Sequence, residues 1–391
     1  MRTQVAIVGA GPAGLLLSHL LALRGIESVV VESRSRAYVE ARIRAGVLEQ
    51  DTVDLLVAAG LGDRLAEQGL RHDGIHLQWP GERHRVDFRA LTGRSVWIYG
   101  QTEVVKDLLA ARADAVHFEV SRTALHDVDT TRPKLSFVAA DGVAHVVEAD
   151  VVVGADGFHG VSRPTVPAPL RRTWERDYPY GWLGVLAEVP PSTDELIYAW
   201  HPNGFAMHSM RSPSLSRLYL QVDRGERVED WSDDRVWDEL RTRLGLDGWA
   251  LADGPILDKG ITPMRSFVST PMRHGRLFLV GDAAHIVPPT GAKGLNLAVA
   301  DVAVLTEALG AFFAEGRADL LDSYEERALR RVWRCTHFSW WMTSMLHTSG
   351  DDLDRQLQLA QLRYVCSSEA AATSLAENYV GLPHELAARA G

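Results

Sequence analysis

Near its start, the chain alternates apolar and polar positions in a way that predicts a strand, a helix and a second strand. Residues 4–8 are a short apolar, β-branched run typical of a buried strand, and residues 15–24 have the character of a helix. The glycine-rich stretch 9–14 separates them, and the second strand, residues 28–31, ends at Glu32. This order predicts the βαβ opening of an α/β fold.

The rest of the chain divides by pattern into three regions. Strands and helices alternate first, strand and hairpin patterns dominate the middle, and helical spacing dominates the end. The clearest middle strands are residues 184–189, 205–211 and 218–222, and the long late helices are residues 297–313 and 353–375. We therefore expect a mixed α/β protein with a Rossmann-like domain (1–172), a β-rich domain (173–286) and a helical region (287–391).

Residues 5–23 invite a different interpretation, because they are nearly free of charge and about long enough to span a bilayer. A signal or anchor segment has a basic start and no glycine-proline break, whereas here only Arg2 precedes and Gly9, Gly11 and Pro12 interrupt. No other segment is expected to reach the length of a spanning helix. We expect a soluble protein without a membrane partner.

Composition narrows the possible functions. The 391 residues are 46% hydrophobic and 24% charged, as in ordinary globular enzymes, and too numerous for one core. A net charge of −10 argues against nucleic acid as a partner. Cys335 and Cys366, the two cysteines, have no metal-ligand spacing, so we expect reduced thiols, a cytoplasmic location and no metal.

The glycines after the first strand have the spacing of a dinucleotide-binding loop. Gly9 permits a tight turn, Gly11 lets the backbone approach a pyrophosphate, and Gly14 lets the helix pack close to the strand. The N–H groups at the start of the helix then point at the phosphates. Glu32 lies about 20 residues downstream, where a carboxylate accepts hydrogen bonds from ribose hydroxyls. We expect a dinucleotide here.

Two later signatures indicate a long ligand. Asp156 and Gly157 end the strand-like run 150–157, and Gly281 and Asp282 end a second run that begins at residue 277. Each could be only a strand that ends in a turn. In this order after the first loop, however, they favour one dinucleotide anchored by distant segments, and FAD is the expected cofactor.

The hairpin over residues 205–222 gathers polar side chains. Ser209 and Arg211 share one face of a strand, and Arg217 and Tyr219 share a face of the next. A turn at residues 212–214 would place Ser209 opposite Tyr219 and Arg211 near Arg217. This could be an ordinary solvent-facing sheet surface. Two arginines on an inward face, however, would need an anion between them.

These features together resemble the single-component flavoprotein aromatic hydroxylases. The three signatures occur in that family's order, and residues 42–50, 281–296 and 376–383 are similar to it as well, so that the likeness covers essentially the whole chain. It implies a Rossmann-like FAD-binding domain, a β-sheet substrate domain and a C-terminal helical region. It adds six FAD contacts: Arg44, Gln101, Arg217, Gly291, Leu295 and Asn296.

The resemblance also implies a site for a phenol that carries a carboxylate. Arg211 would bind the carboxylate with Ser209 and Tyr219, and Tyr198 would hydrogen-bond the phenol. Tyr379 would be the next link of a proton relay, His72 would connect it to solvent, and Pro289 would contribute its carbonyl. Without the resemblance, His72 would be interpreted as surface and Tyr379 as packing.

The reductant has no domain of its own, because the chain contains no second Gly-x-Gly-x-x-Gly. NADPH or NADH would therefore dock briefly on the surface. The resemblance assigns Tyr38, Arg42, His159, Arg163 and Arg265 to this role, although each could be a solvated surface charge. Ser33 follows the acid where NADPH-using relatives have Arg-Gln, so strict NADPH dependence is not expected.

The expected reaction is hydroxylation of 4-hydroxybenzoate at C3 to 3,4-dihydroxybenzoate, with NAD(P)H, O2 and a flavin C4a-hydroperoxide. Two alternatives remain: a hydroxylase of the same fold for another phenolic acid, and a flavin-dependent oxidase or reductase without oxygen transfer. The aromatic helical segment 333–345, with Trp340 and Trp341, predicts a homodimer surface or a packed core.

Overall fold

The computed structural model describes residues 1–42, 46–112 and 115–381. Arg44, one of the expected FAD contacts, lies outside the described residues. The strands are β1 Arg2–Val8, β2 Ser28–Val31, β3 Val47–Glu49, β4 Leu70–His72, β5 Gly74–Trp79, β6 Glu82–Asp87, β7 Val96–Ile98, β8 Val116–His117, β9 Ser121–His126, β10 Lys134–Val138, β11 Ala144–Gly154, β12 Arg172–Ala187, β13 Leu196–Ala199, β14 Ala206–Ser212, β15 Leu215–Asp223, β16 Ile256–Thr270, β17 Arg273–His274, β18 Leu277–Leu279 and β19 His285–Ile286.

The helices surround these strands and dominate the C-terminal part of the chain. They are α1 Pro12–Ala22, α2 Arg36–Ala41, α3 Gln50–Ala58, α4 Asp63–Gln68, α5 Phe88–Thr92, α6 Gln101–Ala111, α7 Ser162–Thr165, α8 Asp233–Arg243, α9 Gly294–Glu315, α10 Asp319–Asp322, α11 Tyr324–Leu346, α12 Asp352–Ser367 and α13 Glu369–Val380. Short 3₁₀ turns at Gly281–Ala283 and Pro289–Gly291 precede α9.

The predicted βαβ opening is confirmed. β1 pairs in parallel with β2 on one side and with β11 on the other. Its residues from Val5 onward are almost completely buried, which explains the apolar run. Helix α1 begins at Pro12, where a proline's missing N–H removes no helical hydrogen bond, and α1 packs against α9 and α6.

Two large sheets form the architecture, and each takes strands from separate parts of the chain. The first has the order β17-β18-β11-β1-β2-β8, extended by β9 and β10. The second has the order β19-β16-β12-β15-β14-β13-β5-β6, and β3, β7 and β4 form a small third sheet. The expected boundary near residue 172 therefore does not separate the sheets, because β5 and β6 join the second sheet while β17 and β18 return to the first.

The register predicted for the β14–β15 hairpin is wrong by two residues. Ser209 lies opposite Arg217, and Tyr219 lies opposite Met207. The turn contains only Pro213 and Ser214, and the strand is irregular between Met210 and Ser212. A bulge and a two-residue turn move the register in a way that turn composition alone does not reveal.

The helix expected over residues 353–375 is two helices. α12 ends at Ser367, and the Ser368 side chain accepts a hydrogen bond from the Ala371 backbone N–H to cap α13. A serine in this role competes with continued helix, which is the physical reason for the break. The cysteines lie in α11 and α12 as free thiols, Cys335 buried and Cys366 partly buried.

Helix α9 corrects the expectation that no other segment reaches spanning length. Gly294–Glu315 is long and apolar enough to cross a bilayer by length and composition. Within the structure, 61% of its most apolar window is buried, and it packs against α1, α10 and α11. Its apolar surface is thus used in the protein core.

The second sheet and the C-terminal helices share one aromatic-rich core. Strands β5, β12, β13 and β14 contribute large buried side chains to it, and α11, α12 and α13 cover them. Tyr198 from β13 and Tyr379 from α13 are both about 1% exposed in this core. The last helix of the chain is thereby brought against the middle of the second sheet.

Candidate active site

The glycine-rich loop has the geometry of a phosphate-binding turn. Gly9 has φ +105°, and a Cβ there would lie 2.3 Å from the carbonyl oxygen of Ala155. A Cβ at Gly14 would lie 2.0 Å from the carbonyl oxygen of Gly9. At Gly11, by contrast, a Cβ would meet no protein atom within 4 Å. Protein packing accounts for two of the three glycines, and open space for a ligand accounts for Gly11.

Glu32 is held rigidly at the end of β2. Its Oε2 accepts a hydrogen bond from the Ala10 N–H at 2.9 Å, and its Oε1 accepts one from the Arg34 N–H at 2.8 Å. The carboxylate therefore lies beside the glycine loop, where a ribose of a bound dinucleotide would meet it.

Asp156 and Gly157 follow β11 at the same edge of the sheet. Asp156 Oδ2 accepts hydrogen bonds from the backbone N–H and the hydroxyl of Ser162, both at 2.9 Å. Its Oδ1 is buried without a hydrogen-bond partner among the described residues. Burial raises the pKa of this carboxyl. A buried acceptor without a donor is a position that a cofactor hydroxyl can satisfy.

The Gly281–Asp282 turn is held by a buried histidine-aspartate pair, His285 and Asp301. Asp301 accepts a hydrogen bond from the Gly281 N–H at 2.9 Å and contacts His285 Nε2 at 2.6 Å. The Asp282 side chain is exposed and remains available to a ligand. Val280 donates a hydrogen bond to Gly154 O, which joins this turn to the strand that carries Asp156.

The start of α9 offers backbone donors rather than the Asn296 side chain. Asn296 is about 1% exposed, and its amide bonds Glu49 N, Thr52 Oγ1, Val47 O and Ala292 O. Its side chain therefore serves the protein. Gly294, Leu295 and Asn296 form the first turn of α9, whose N–H groups have no acceptor within the helix. Gln101 occupies the corresponding first position of α6.

A buried ionic cluster beneath this turn was missed by sequence reasoning. Lys293 Nζ donates to Glu49 Oε1 at 2.7 Å and to the carbonyl oxygen of Tyr379 at 2.8 Å. Arg331 donates to the other Glu49 oxygen at 2.6 Å. The sequence did carry a signal for this cluster: Lys293 is the single Lys, Arg, Asp or Glu in the run 283–300. The cluster connects β3, the α9 start, α11 and α13.

The phenol end of the predicted relay is assembled. The hydroxyl groups of Tyr198 and Tyr379 share a hydrogen bond of 2.7 Å. Burial raises the pKa of both tyrosines well above 10, so both stay protonated near neutral pH. Phe88 stacks on Tyr379 at 4.9 Å. Pro289 lies half-buried in the turn before α9.

His72 lies at the end of β4 and is about 1% exposed, not a surface residue. Neither ring nitrogen has a hydrogen-bond partner among the described residues. Burial lowers the pKa of His72 to about 4, although Glu195, Asp194 and Asp73 oppose this shift. The imidazole is therefore neutral near pH 7, and burial disfavours its protonated form there.

The carboxylate end differs from its prediction in one contact. Ser209 donates its hydroxyl to the carbonyl oxygen of Arg217 at 2.7 Å, so this hydroxyl is already engaged. Burial lowers the pKa of Arg211, whose neighbours are Tyr219 and Arg217. Arg217 Nε and one terminal nitrogen have no hydrogen-bond partner among the described residues, and Asp258 is 3.6 Å away. Glycine at 184 leaves the space that Arg217 and Tyr219 occupy.

Three of the five expected nicotinamide-nucleotide contacts gather around Phe158. Arg163 and Arg265 lie over its ring at 4.6 and 4.8 Å, and His159 meets it edge-on at 4.9 Å. Arg163 also donates to two backbone carbonyl oxygens, and Arg265 lies within 3.5 Å of two carboxylates. Tyr38 and Arg42 are exposed on and just after α2, a separate element.

A surface cleft of about 460 Å³ lies away from these residues. Trp79 and Trp200 form one wall, and α12 forms the other. None of the expected site residues lines it.

The family described as FAD binding domain matches residues 2–339. The chain is 51% identical to p-hydroxybenzoate hydroxylase of Acinetobacter baylyi over 99% of its length and 97% of that protein. It is 25% identical to the 3-(3-hydroxy-phenyl)propionate/3-hydroxycinnamic acid hydroxylase of Comamonas testosteroni, covering 86% of this chain and 57% of that one.

A solved structure has the same fold. p-Nitrophenol 4-monooxygenase of Pseudomonas putida superposes with a TM-score of 0.83 at 19% identity, covering 98% of this chain and 99% of that one. At this identity the likeness concerns the fold. The expected mixed α/β class with a Rossmann-like FAD-binding part is confirmed.

The loop glycines allow protein packing and cofactor binding to be separated. Gly14→Ala places a methyl group against the Gly9 carbonyl and should lower the free energy of unfolding of the cofactor-free protein by about 1–3 kcal/mol. Gly11→Ala meets no protein atom, so stability should be unchanged while FAD affinity falls about tenfold. Thermal unfolding and FAD titration measure the two effects. Wild-type FAD affinity in Gly11→Ala would contradict the proposed loop geometry.

Proposed function

The chain belongs to the FAD-binding aromatic hydroxylases, the family of p-hydroxybenzoate hydroxylase, and we propose that it converts 4-hydroxybenzoate to 3,4-dihydroxybenzoate. The observation that carries this proposal is the buried Tyr198–Tyr379 hydroxyl pair, 2.7 Å apart, in the same core as the β14–β15 hairpin. A flavin oxidase or reductase without oxygen transfer has no use for such a pair.

The residues near the glycine loop fit FAD. Gly11 leaves open space, one buried Asp156 oxygen has no partner among the described residues, and the first N–H groups of α9 have no acceptor within the helix. Bound FAD supplies the redox chemistry, since it takes electrons from NAD(P)H and activates O2. Gly9, Gly11, Gly14 and Glu32 would hold its adenosine half, and Asp156, Asp282 and the α9 start its flavin half.

The protein side chains bind the substrate and move its proton. Arg211 presents a guanidinium for a two-pronged carboxylate contact, assisted by the Tyr219 hydroxyl. Tyr198 accepts the phenolic hydrogen bond and passes the proton to Tyr379. His72, which is neutral near pH 7, would connect this relay to solvent. Loss of that proton makes the ring electron-rich, so hydroxylation falls beside the hydroxyl group.

We propose that the nicotinamide nucleotide docks near Phe158, with His159, Arg163 and Arg265 around the pyrophosphate and with Tyr38 and Arg42 as outlying contacts. The cationic side chains on this surface support the proposal. Ser33, rather than a basic residue, follows Glu32, which supports use of both NADH and NADPH. The free cysteines support a cytoplasmic site of action.

Aerobic turnover tests the reaction. The FAD-loaded enzyme should oxidise NADH or NADPH rapidly only with 4-hydroxybenzoate and should form 3,4-dihydroxybenzoate. Tyr198→Phe removes the first relay hydroxyl, so product formation should fall about 100-fold while peroxide release rises. Tyr178→Phe is the matched control, because Tyr178 is buried in the same core and its hydroxyl bonds that of Ser266, outside the Tyr198–Tyr379 pair. Turnover confined to 3-(3-hydroxyphenyl)propionate would reassign the substrate, and unchanged product yield in Tyr198→Phe would contradict the relay.

Arg211→Lys tests the carboxylate contact. An ammonium group cannot reproduce a guanidinium fork, so the dissociation constant for 4-hydroxybenzoate should rise at least about tenfold while FAD stays bound. Titration of flavin fluorescence measures both quantities. Arg224→Lys is the control, since Arg224 is an exposed arginine paired with Asp177. Equal affinity in the two variants would exclude Arg211 as the carboxylate ligand.

We also propose a homodimer formed through the outer faces of α11 and α12. Trp333 and Trp340 are exposed on α11, and Leu353, Leu357 and Tyr364 form an apolar stripe on α12, each 58–65% exposed. Trp341 is half-buried, so the segment 333–345 serves core and surface together. Sedimentation velocity should show a dimer that Leu357→Asp converts to monomer. Val146→Asp, at another exposed apolar residue, should leave the dimer intact.

A further inference from the structure

His347 follows the last turn of α11 and is completely buried among aromatic rings. The imidazole stacks on the Phe205 ring at 4.5 Å, with 27° between the ring planes, and on the Tyr180 ring at 4.9 Å, with 11° between them. Trp182 lies 5.9 Å away at 13° to the imidazole plane. None of the expected relay or ligand contacts includes this residue.

Both ring nitrogens of His347 are engaged. The Trp182 indole N–H donates to His347 Nε2 at 2.6 Å, and His347 Nδ1 lies 3.1 Å from the Thr343 carbonyl oxygen. Since Nε2 accepts, Nδ1 carries the proton and donates to that carbonyl. Burial lowers the pKa of His347 to about 3, which keeps this neutral tautomer. The imidazole is therefore a fixed acceptor for the indole.

The ring stack leads to both ends of the proposed substrate pocket. Trp182 packs against Tyr219 at 4.8 Å, beside the carboxylate ligand Arg211. Trp182 also stacks on Phe205 at 5.3 Å, and Phe205 contacts Tyr198 at 6.1 Å. A displaced indole would thus move one tyrosine directly and the other through Phe205.

The same helical turn reaches the loop that precedes α9. The Thr343 and Thr290 hydroxyls share a hydrogen bond of 2.9 Å, and Thr290 lies between Pro289 and Gly291. On the other side, Gln221 bonds the backbone of Thr348 in both directions, which ties the end of α11 to β15. The C-terminal end of α11 is thereby attached to the substrate sheet and to the flavin-side turn.

We propose that His347 is a positioning residue for the hydroxylation: it holds the Trp182 indole, and through it Tyr219 and Tyr198, at a set distance from the Pro289–Gly291 turn. This inference rests on the proposed function. The position needs a flat ring that is also a hydrogen-bond acceptor. Phenylalanine would keep the flat ring but leave the buried Trp182 indole N–H without its acceptor. Glutamine would keep an acceptor but lose the ring that packs in the aromatic stack.

The test compares His347→Phe and His347→Gln with wild type as FAD-loaded enzymes. In His347→Phe the buried indole N–H has no acceptor, so the dissociation constant for 4-hydroxybenzoate should rise about tenfold. The fraction of consumed NAD(P)H that yields hydroxylated product should fall as well. His347→Gln keeps an acceptor and should be intermediate in both. Flavin fluorescence titration gives the affinity without turnover.

His208→Gln is the matched control, because His208 is also completely buried in β14 and accepts a hydrogen bond from the Ser192 N–H. It lies on the face of the strand opposite to Ser209. This variant should lose thermal stability but keep wild-type affinity and coupling. If the His347 variants lose stability and nothing else, as the control does, the positioning role is overturned.

The two proposals fail separately. If wild type binds 4-hydroxybenzoate but forms no 3,4-dihydroxybenzoate, the proposed function fails, and the affinity ratio of His347→Phe to wild type still decides the positioning role. If wild type binds no aromatic acid, both proposals fail.

Discussion

The hydrogen bond between Tyr198 and Tyr379 is the interaction on which the proposed site depends. It joins a central strand of the substrate sheet to the last described helix, across 181 residues of sequence. Because both hydroxyls are buried, each needs the other as a partner, and α13 must therefore lie over β13. The same enclosure excludes water from the place where a phenol would lose its proton.

Polar contacts over long sequence distances hold the flavin-side turn in place. At the start of α9, Asn296 bonds the backbone of β3 and Lys293 bonds the Glu49 carboxylate of the same strand, nearly 250 residues earlier in the chain. A buried lysine is stable only when paired, and here a carboxylate and a carbonyl oxygen satisfy it. With these groups committed to the protein, the backbone N–H groups of the turn remain for the cofactor. On the other side of the turn, the Thr343 hydroxyl shares a hydrogen bond with the Thr290 hydroxyl.

The errors in the sequence prediction share one physical cause. The hairpin register depends on a bulge near Arg211, and the end of α12 depends on a serine cap, and neither changes the apolar pattern much. The composition of the second sheet is equally hidden from local pattern, since β5 pairs with β13, more than 100 residues later in the chain. The local pattern of apolar residues indicates which residues are buried, whereas the pairing of strands depends on how the whole chain packs.

The sequence alone determined the βαβ opening, the glycine geometry around Gly9 and Gly14 and the acid at Glu32, and it supplied the residue types of the proposed pocket. These features follow from local backbone requirements and from the period of apolar positions, which the chain itself carries. Only the tertiary structure decided that Ser209 bonds a backbone carbonyl, that His72 is buried and that the Trp182 indole donates a hydrogen bond to His347. Such contacts join elements far apart in sequence, so their partners exist only once the sheets and helices have packed.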